Sequence, residues 1–210
     1  MRYAQIVLLV AVMVALGGCA GKVGRDGFTV NYTPNDSVAV PVQGSPVVFV
    51  VATDARGNRS ISSLEKPTPA EDAAGFLVYG PLYALIDSDV KDNSGHDVTG
   101  DFSSALSRRL ADSGVLVDSE RRDCAAIINL VVNRLRVDFR MGTWTGEVGY
   151  TATVRQGEET ICEDQIHEAA TAWNWNGLDS GQKALNEAFT NAINKFDLNR
   201  CLSHLGNTSP

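Results

Sequence analysis

The stretch AAIINLVVNRLRVDFRMGTWTGEVGYTATVRQGEETICEDQIHEAATAW, residues 125–173, decides the fold. From Ala125 to Phe139 it alternates. Ile127, Asn129, Val131, Asn133, Leu135, Val137 and Phe139 fall on one side, and Ile128, Leu130, Val132, Arg134, Arg136 and Asp138 on the other. Successive side chains of a strand point to opposite faces, so this period of two reads as one long strand. The second set turns polar at Arg134, which predicts that its face emerges into solvent there. Met141-Gly142 reads as a turn, and Trp144 to Val154 as the next strand, weakened by Gly146 and Gly149. Gln156-Gly157-Glu158 reads as a hairpin turn, and Thr160 to Trp173 as a third strand. Strands joined by such short turns form an antiparallel meander.

Upstream, Pro46 to Ala52 is a nearly continuous β-branched run and reads as a buried central strand. Gly75 to Tyr79 and Leu82 to Ile86 are two further short apolar stretches. Phe102, Ala105, Leu106, Leu110 and Ala111 follow helical spacing, with Thr99 or Asp101 as the expected N-cap. Arg108 and Arg109 suit the negative end of that helix, and Ser113-Gly114 stops it. Val115 to Val117 is a short strand. Downstream, Leu185, Ala188, Phe189, Ala192, Ile193 and Phe196 line one stripe of an amphipathic helix. Asp179 or Ser180 is its expected cap, and it runs to about Leu198 or Leu202. The order strand, helix, short strand, meander, helix predicts an α+β fold. Its antiparallel β-sheet (central strand plus three-strand meander) carries two helices packed on one face.

The chain has 210 residues, with 18 Lys and Arg against 25 Asp and Glu, for a net charge of −7. That balance argues against a nucleic-acid binder, which needs a basic face. Apolar residues at 44% and charged residues at 20% argue for a folded domain rather than disorder. Arg2 followed by the uncharged run Ile6 to Leu16 is too short to span a bilayer and fits a signal peptide. Leu16-Gly17-Gly18-Cys19 follows and closely resembles the lipobox of bacterial lipoproteins. The resemblance implies cleavage between Gly18 and Cys19 and lipidation of the Cys19 thiol. Several acyl chains hold to a membrane where one does not. Ala20 in place of Asp implies the outer membrane of a Gram-negative bacterium, on its periplasmic face. The expected organisation is a signal peptide at 1–18, a lipidated Cys19 with a flexible tether at 19–45, one periplasmic domain at 46–204, and a frayed tail at 205–210. Within the tether, Phe28 to Tyr32 alternates like a short edge strand.

Cys124, Cys162 and Cys201 remain after lipidation, an odd number that allows at most one internal bond in the oxidising periplasm. Cys124 and Cys162 each begin a strand at one end of the meander, and the final helix returns Cys201 toward that end. We therefore expect Cys201 to bond Cys162 in preference to Cys124, with three reduced thiols as the competing reading. Trp144 begins one strand and Trp173 ends the next, which places them at the opposite end. Trp144, Trp173 and Trp175, with Tyr150 beside them, are the candidate partner-binding residues. The competing reading has the rings sealing the core.

No catalytic site is expected. His96, His167 and His204 are scattered, and no nucleotide loop or zinc spacing occurs. Asp87, Asp89, Asp92, Asp97 and Asp101 crowd one stretch, but Lys91 stands where a calcium loop needs a ligand and no Glu follows. We read it as a solvated loop, so no metal and no cofactor is expected. Glu147, Glu163 and Glu168 on adjacent strands are the residues a hydrolase would use, and an exposed sheet face is the simpler reading.

Taken together, the lipobox, the strand Val47 to Ala52, the helix and strand Phe102 to Val117, the run Ala125 to Leu135, the meander and the helix from Lys183 resemble the YajG-type lipoproteins of the Gram-negative outer membrane. The resemblance is one of element order, and the lipobox is its specific motif. It implies a non-enzymatic accessory or binding module of the cell envelope, held to the membrane by lipid and meeting a protein, glycan or lipid partner. Two other roles are weighed: an auxiliary subunit of a lipid or lipopolysaccharide transport system, and a hydrolase.

Overall fold

The computed structural model describes residues 28–34, 46–56, 97–118, 120, 124–173, 177–203 and 205. The signal segment, Cys19, the two apolar stretches between 75 and 86, the Asp-rich stretch up to His96, Trp175 and His204 lie outside the described residues.

The meander is three long strands: β3 (Ala126–Arg140), β4 (Thr143–Gln156) and β5 (Glu159–Trp173). Met141-Gly142 turns the first corner, with Met141 at φ 49° and Gly142 at φ 78°, and Gly157 at φ 60° turns the second. The polar turn in the β3 alternation has a different cause from the one expected. Val132 pairs with Tyr150 and Arg134 with Gly149, so Asn133 is an extra residue in a β-bulge. The bulge reverses parity. Ala126, Ile128, Leu130 and Val132 face the core before it, and Leu135 and Val137 after it. No face emerges into solvent halfway. Instead Arg134, Arg136 and Asp138 move together to the opposite face. Gly149 eases the close approach there, because a Cβ would lie 2.9 Å from Asn133 Oδ1 and 3.1 Å from Arg134 Cβ.

Two shorter strands, β1 (Val47–Asp54) and β2 (Leu116–Val117), complete the order β2-β1-β3-β4-β5. Both pair with their neighbours in parallel, β1 with β3 and β2 with β1. The sheet is therefore mostly rather than wholly antiparallel. Parallel neighbours need a crossover, and the helix α1 (Val98–Asp112) lies between β1 and β2 in the chain. β1 has a strand on each side, but its burial alternates: Val48 and Val50 are buried, and Val47, Phe49 and Val51 only half so.

Three helices cover one face. Asp97, not Thr99 or Asp101, caps α1, accepting from the Gly100 N–H at 3.0 Å. The long helix α2 (Leu178–Lys195) is capped at Gly177, with φ 58°, two to three residues before the expected Asp179 or Ser180. It breaks at Phe196, and a short α3 (Leu198–Leu202) follows, capped by Asp197. Phe102 of α1 meets Tyr150 and Phe189 edge-on at 5.6 and 4.9 Å, which joins both helices to the sheet. Gly146 allows α2 to sit directly on β4, since a Cβ there would lie 2.6 Å from the Leu185 backbone. Arg109 is buried, and its Nη1 donates to the carbonyls of Ile193 and Phe196, the latter at 2.8 Å. A cation thus satisfies the negative end of α2. Burial lowers the Arg109 pKa, and the nearby Tyr150 opposes that shift.

Residues 28–34 are neither tether nor sheet strand. They run along the polar side of α2, with Phe28 and Val30 in the core. The N–H groups of Thr29, Asn31 and Thr33 donate to the side chains of Gln182, Asn186 and Thr190, at 3.1, 3.0 and 3.2 Å. The match is geometric. Two residues of extended chain advance about 6.6 Å, and four residues of helix about 6.0 Å. Every second N–H therefore meets every fourth side chain, and Tyr32 continues the row by donating to Asn194 Oδ1 at 2.9 Å. The folded unit thus begins before Pro46. It also extends past Leu202, because Leu205, assigned above to a frayed tail, is buried.

Candidate functional site

Parity divides the candidate aromatic residues. Trp144 pairs with Ala172 and Trp173 with Thr143, so both stand at one end of the sheet. They are one position out of phase and face opposite sides. Trp144 points under the helices and is fully buried between Phe28 and Phe139, at centroid distances of 5.8 and 4.8 Å. Tyr150 is also fully buried, and its hydroxyl donates to the Ala192 carbonyl at 3.0 Å. Burial holds its phenol well above the ordinary range. Neither residue presents a surface to a partner, which removes both from the candidate set. Trp173 is 68% exposed.

Cys162 and Cys201 are joined by a disulfide, with a Cα–Cα distance of 5.3 Å, which ties the end of α3 to β5. Cys124 is a free, half-buried thiol.

Trp173 borders the sheet face opposite the helices. Among the described residues no helix packs there. Its residues follow from the register: Thr143, Thr145, Glu147, Thr151 and Thr153 on β4, Arg134, Arg136 and Asp138 on β3, and an exposed row from Glu163 to Trp173 on β5. A charge cluster lies at its centre. Arg136 sits 3.0 Å from Glu147 and 2.6 Å from Asp138, and Arg134 also pairs with Glu147. Half-exposed ion pairs of this kind contribute about 0–1 kcal/mol each, so they shape the surface more than they stabilise the fold. The cluster was missed in the sequence. Arg134-x-Arg136-x-Asp138 at period two already placed those three groups on one face, and only the bulge decided which.

The acidic strand residues do not form a catalytic pair. Glu147 is bound to two arginines on the open face. Glu168 lies on the helix side, bound to Lys195. Glu163 stands opposite Thr153 and Glu147 opposite Ala169, six residues apart along β5. That is about 20 Å, well beyond the roughly 5–9.5 Å at which two carboxyls cleave a glycoside. His167 is exposed on β5. Among the described residues no group of three His, Cys, Asp or Glu side chains is placed to hold a metal. A shallow depression beside residues 33 and 34 is lined by polar side chains, among them Lys183, Asn186 and Asn191. No described helix is long and apolar enough to cross a membrane.

No protein-family model matches the chain, and no curated protein matches it. Solved structures do. A Xanthomonas campestris protein of the DUF330 family is similar over 80% of this chain and 89% of its own, at 16% identity and a TM-score of 0.54. A Caulobacter crescentus structure named as a lipoprotein is similar over 51% of this chain and 82% of its own, at 15% identity and a TM-score of 0.38. A PelC dodecamer from Paraburkholderia phytofirmans is similar over 85% and 98%, at 16% identity and a TM-score of 0.39. At such identities the first of these concerns the fold: the chain shares its α+β architecture with the DUF330 protein.

Proposed function

We propose that this chain is a lipid-anchored envelope protein of the YajG-like kind, acylated on Cys19 at the periplasmic face of the outer membrane, whose domain recognises a partner rather than catalysing a reaction. The lipobox at Leu16 to Cys19 supports the anchoring. The observation that supports recognition is the division of the sheet. Its helix side holds the large core residues, while its other side carries the Arg134–Glu147–Arg136–Asp138 cluster and ends at Trp173. This face exposes an arginine pair and, at its edge, a tryptophan, two of the side-chain types that most often carry binding energy at interfaces. The partner is an envelope protein, glycan or lipid, and the anchor raises its local concentration. No cofactor enters this reading. The transport-subunit role calls for an apolar groove. Among the described residues, the depression beside residues 33 and 34 is shallow and lined by side chains such as Lys183, Asn186 and Asn191 rather than by aliphatic or aromatic ones.

The test is crosslinking and pull-down from whole envelopes with the lipidated protein and with Arg136→Ala and Trp173→Ala variants. A partner held by the parent protein and lost by a still-folded variant supports recognition by this face. Equal recovery by all three would remove the face from consideration.

A further inference from the structure

We propose that the end of the domain formed by Met141 and Trp173 rests on the lipid surface that holds Cys19, so that the strands stand on the membrane and the open face is turned sideways. This rests on the lipidation of Cys19 proposed above.

Three observations converge. The first is where the folded chain begins. Phe28 is locked at the N-terminal end of α2, against Trp144 and beside Gly181, whose Cβ would lie 2.8 Å from the Trp144 ring. That is the same end of the sheet as the Met141-Gly142 turn and Trp173. Eight residues separate Cys19 from Phe28. Fully extended, that segment spans about 30 Å. β4, with its 14 residues, is about 46 Å long. A domain standing on its opposite end would lift Phe28 beyond the reach of the anchor.

The second observation is where exposed apolar surface lies. Met141 is 91% exposed and Trp173 68%, and both are at the anchored end. The remaining large exposed hydrophobic residue among those described, Leu116, lies at the other end, opposite Val47. An indole has an apolar body and a polar N–H, which suits the boundary between acyl chains and headgroups. A flexible methionine tip fills irregular apolar space.

The third is charge. Arg140 is exposed directly beside Met141, and Lys22, Arg25 and Asp26 lie in the segment leading back to Cys19, a set that stays net positive with Asp179 exposed at the start of α2. The far end carries Glu158, Glu159 and Glu163 against Arg155, all exposed, and is net negative. Phosphate headgroups attract the first end and repel the second.

The test uses the full-length acylated protein with Cys124→Ser, reconstituted into vesicles of phosphatidylethanolamine with a minority of phosphatidylglycerol. An environment-sensitive fluorophore is attached at Met141→Cys in one sample and at Glu158→Cys in another, with Arg140→Cys replacing the first if that variant misfolds. Flotation and the mass of the N-terminal peptide report anchoring separately. The proposal expects blue-shifted emission at position 141, quenched several-fold more by a lipid-borne nitroxide than at 158. If the protein floats but 141 remains as wet as 158, the docking is overturned and the anchor stands. If both positions are quenched alike, the domain lies flat and the end-on geometry is overturned. If the protein does not float and Cys19 carries no acyl group, the anchoring reading fails and the docking with it.

Discussion

Phe28→Ala separates a folded N-terminal strap from a free tether. The Phe28 ring is 5% exposed and packs edge-on against Trp144. Truncating a buried Phe to Ala costs about 3–5 kcal/mol, and a site at the domain margin relaxes enough to favour the lower value, about 3. With a urea slope of about 2 kcal/mol/M, typical for a domain of this size, the midpoint should fall by about 1.5 M with the slope unchanged. Phe28→Leu keeps most of the apolar volume and should cost less than about 1.5 kcal/mol. Asn186→Ala removes the acceptor of the Asn31 N–H and of Gln182 Nε2. Being near the surface, it should cost only about 0.5–1 kcal/mol. Trp144 fluorescence reports locally, because that ring touches Phe28. A midpoint unmoved by Phe28→Ala would refute the reasoning: residues 28–34 would then be free in solution, and the anchor segment would be correspondingly longer.

Other outcomes follow from the same packing. Replacing both Cys162 and Cys201 by Ala should lower stability by about 4 kcal/mol if the bond acts by restricting the unfolded chain over its separation of 39 residues. Chemical unfolding without reductant measures it. Arg109→Met leaves the Ile193 and Phe196 carbonyls without their donor. It should cost about 3 kcal/mol, with amide exchange rising first in the last turn of α2. The Tyr150 phenol has a folded pKa raised above its unfolded value, so its contribution is complete below pH 10 and is lost as pH rises from there toward the folded pKa. The urea midpoint should therefore fall above pH 10, and by less in Tyr150→Phe.

What the sequence made legible were the local periodicities. The stripe from Leu185 to Phe196 and the three meander strands need only their own residues to declare themselves, and the strand ends fall within a residue or two of the expected positions, whereas the helix expected to reach Leu198 or Leu202 ends at Lys195 and resumes as a separate short helix. What it hid were relations between segments. Asn133 is an unremarkable polar residue until Gly149 opposite it leaves room for a bulge, and that one residue decides which face receives Arg134, Arg136 and Asp138. Trp144 and Trp173 were correctly brought to one end, but a single step in parity puts one in the core and the other in solvent. The strap at 28–34 lies in a segment whose Gly, Pro, Asn and Asp content reads as linker. Its order comes from the side chains of α2, about 150 residues away in the chain. The parallel pairing of β1 likewise has no local signature, since it depends on how α1 crosses the sheet.

The central claim is that the helix-free face of the sheet is where this protein meets its partner. The most direct measurement places a photo-crosslinking residue at Thr145 or Thr171 on that face, and at Glu187 or Asn191 on the exposed side of α2, in intact envelopes. The account predicts a discrete adduct, identified by mass, from the first pair and not from the second. Adducts from α2 alone, or from all four positions alike, would contradict it.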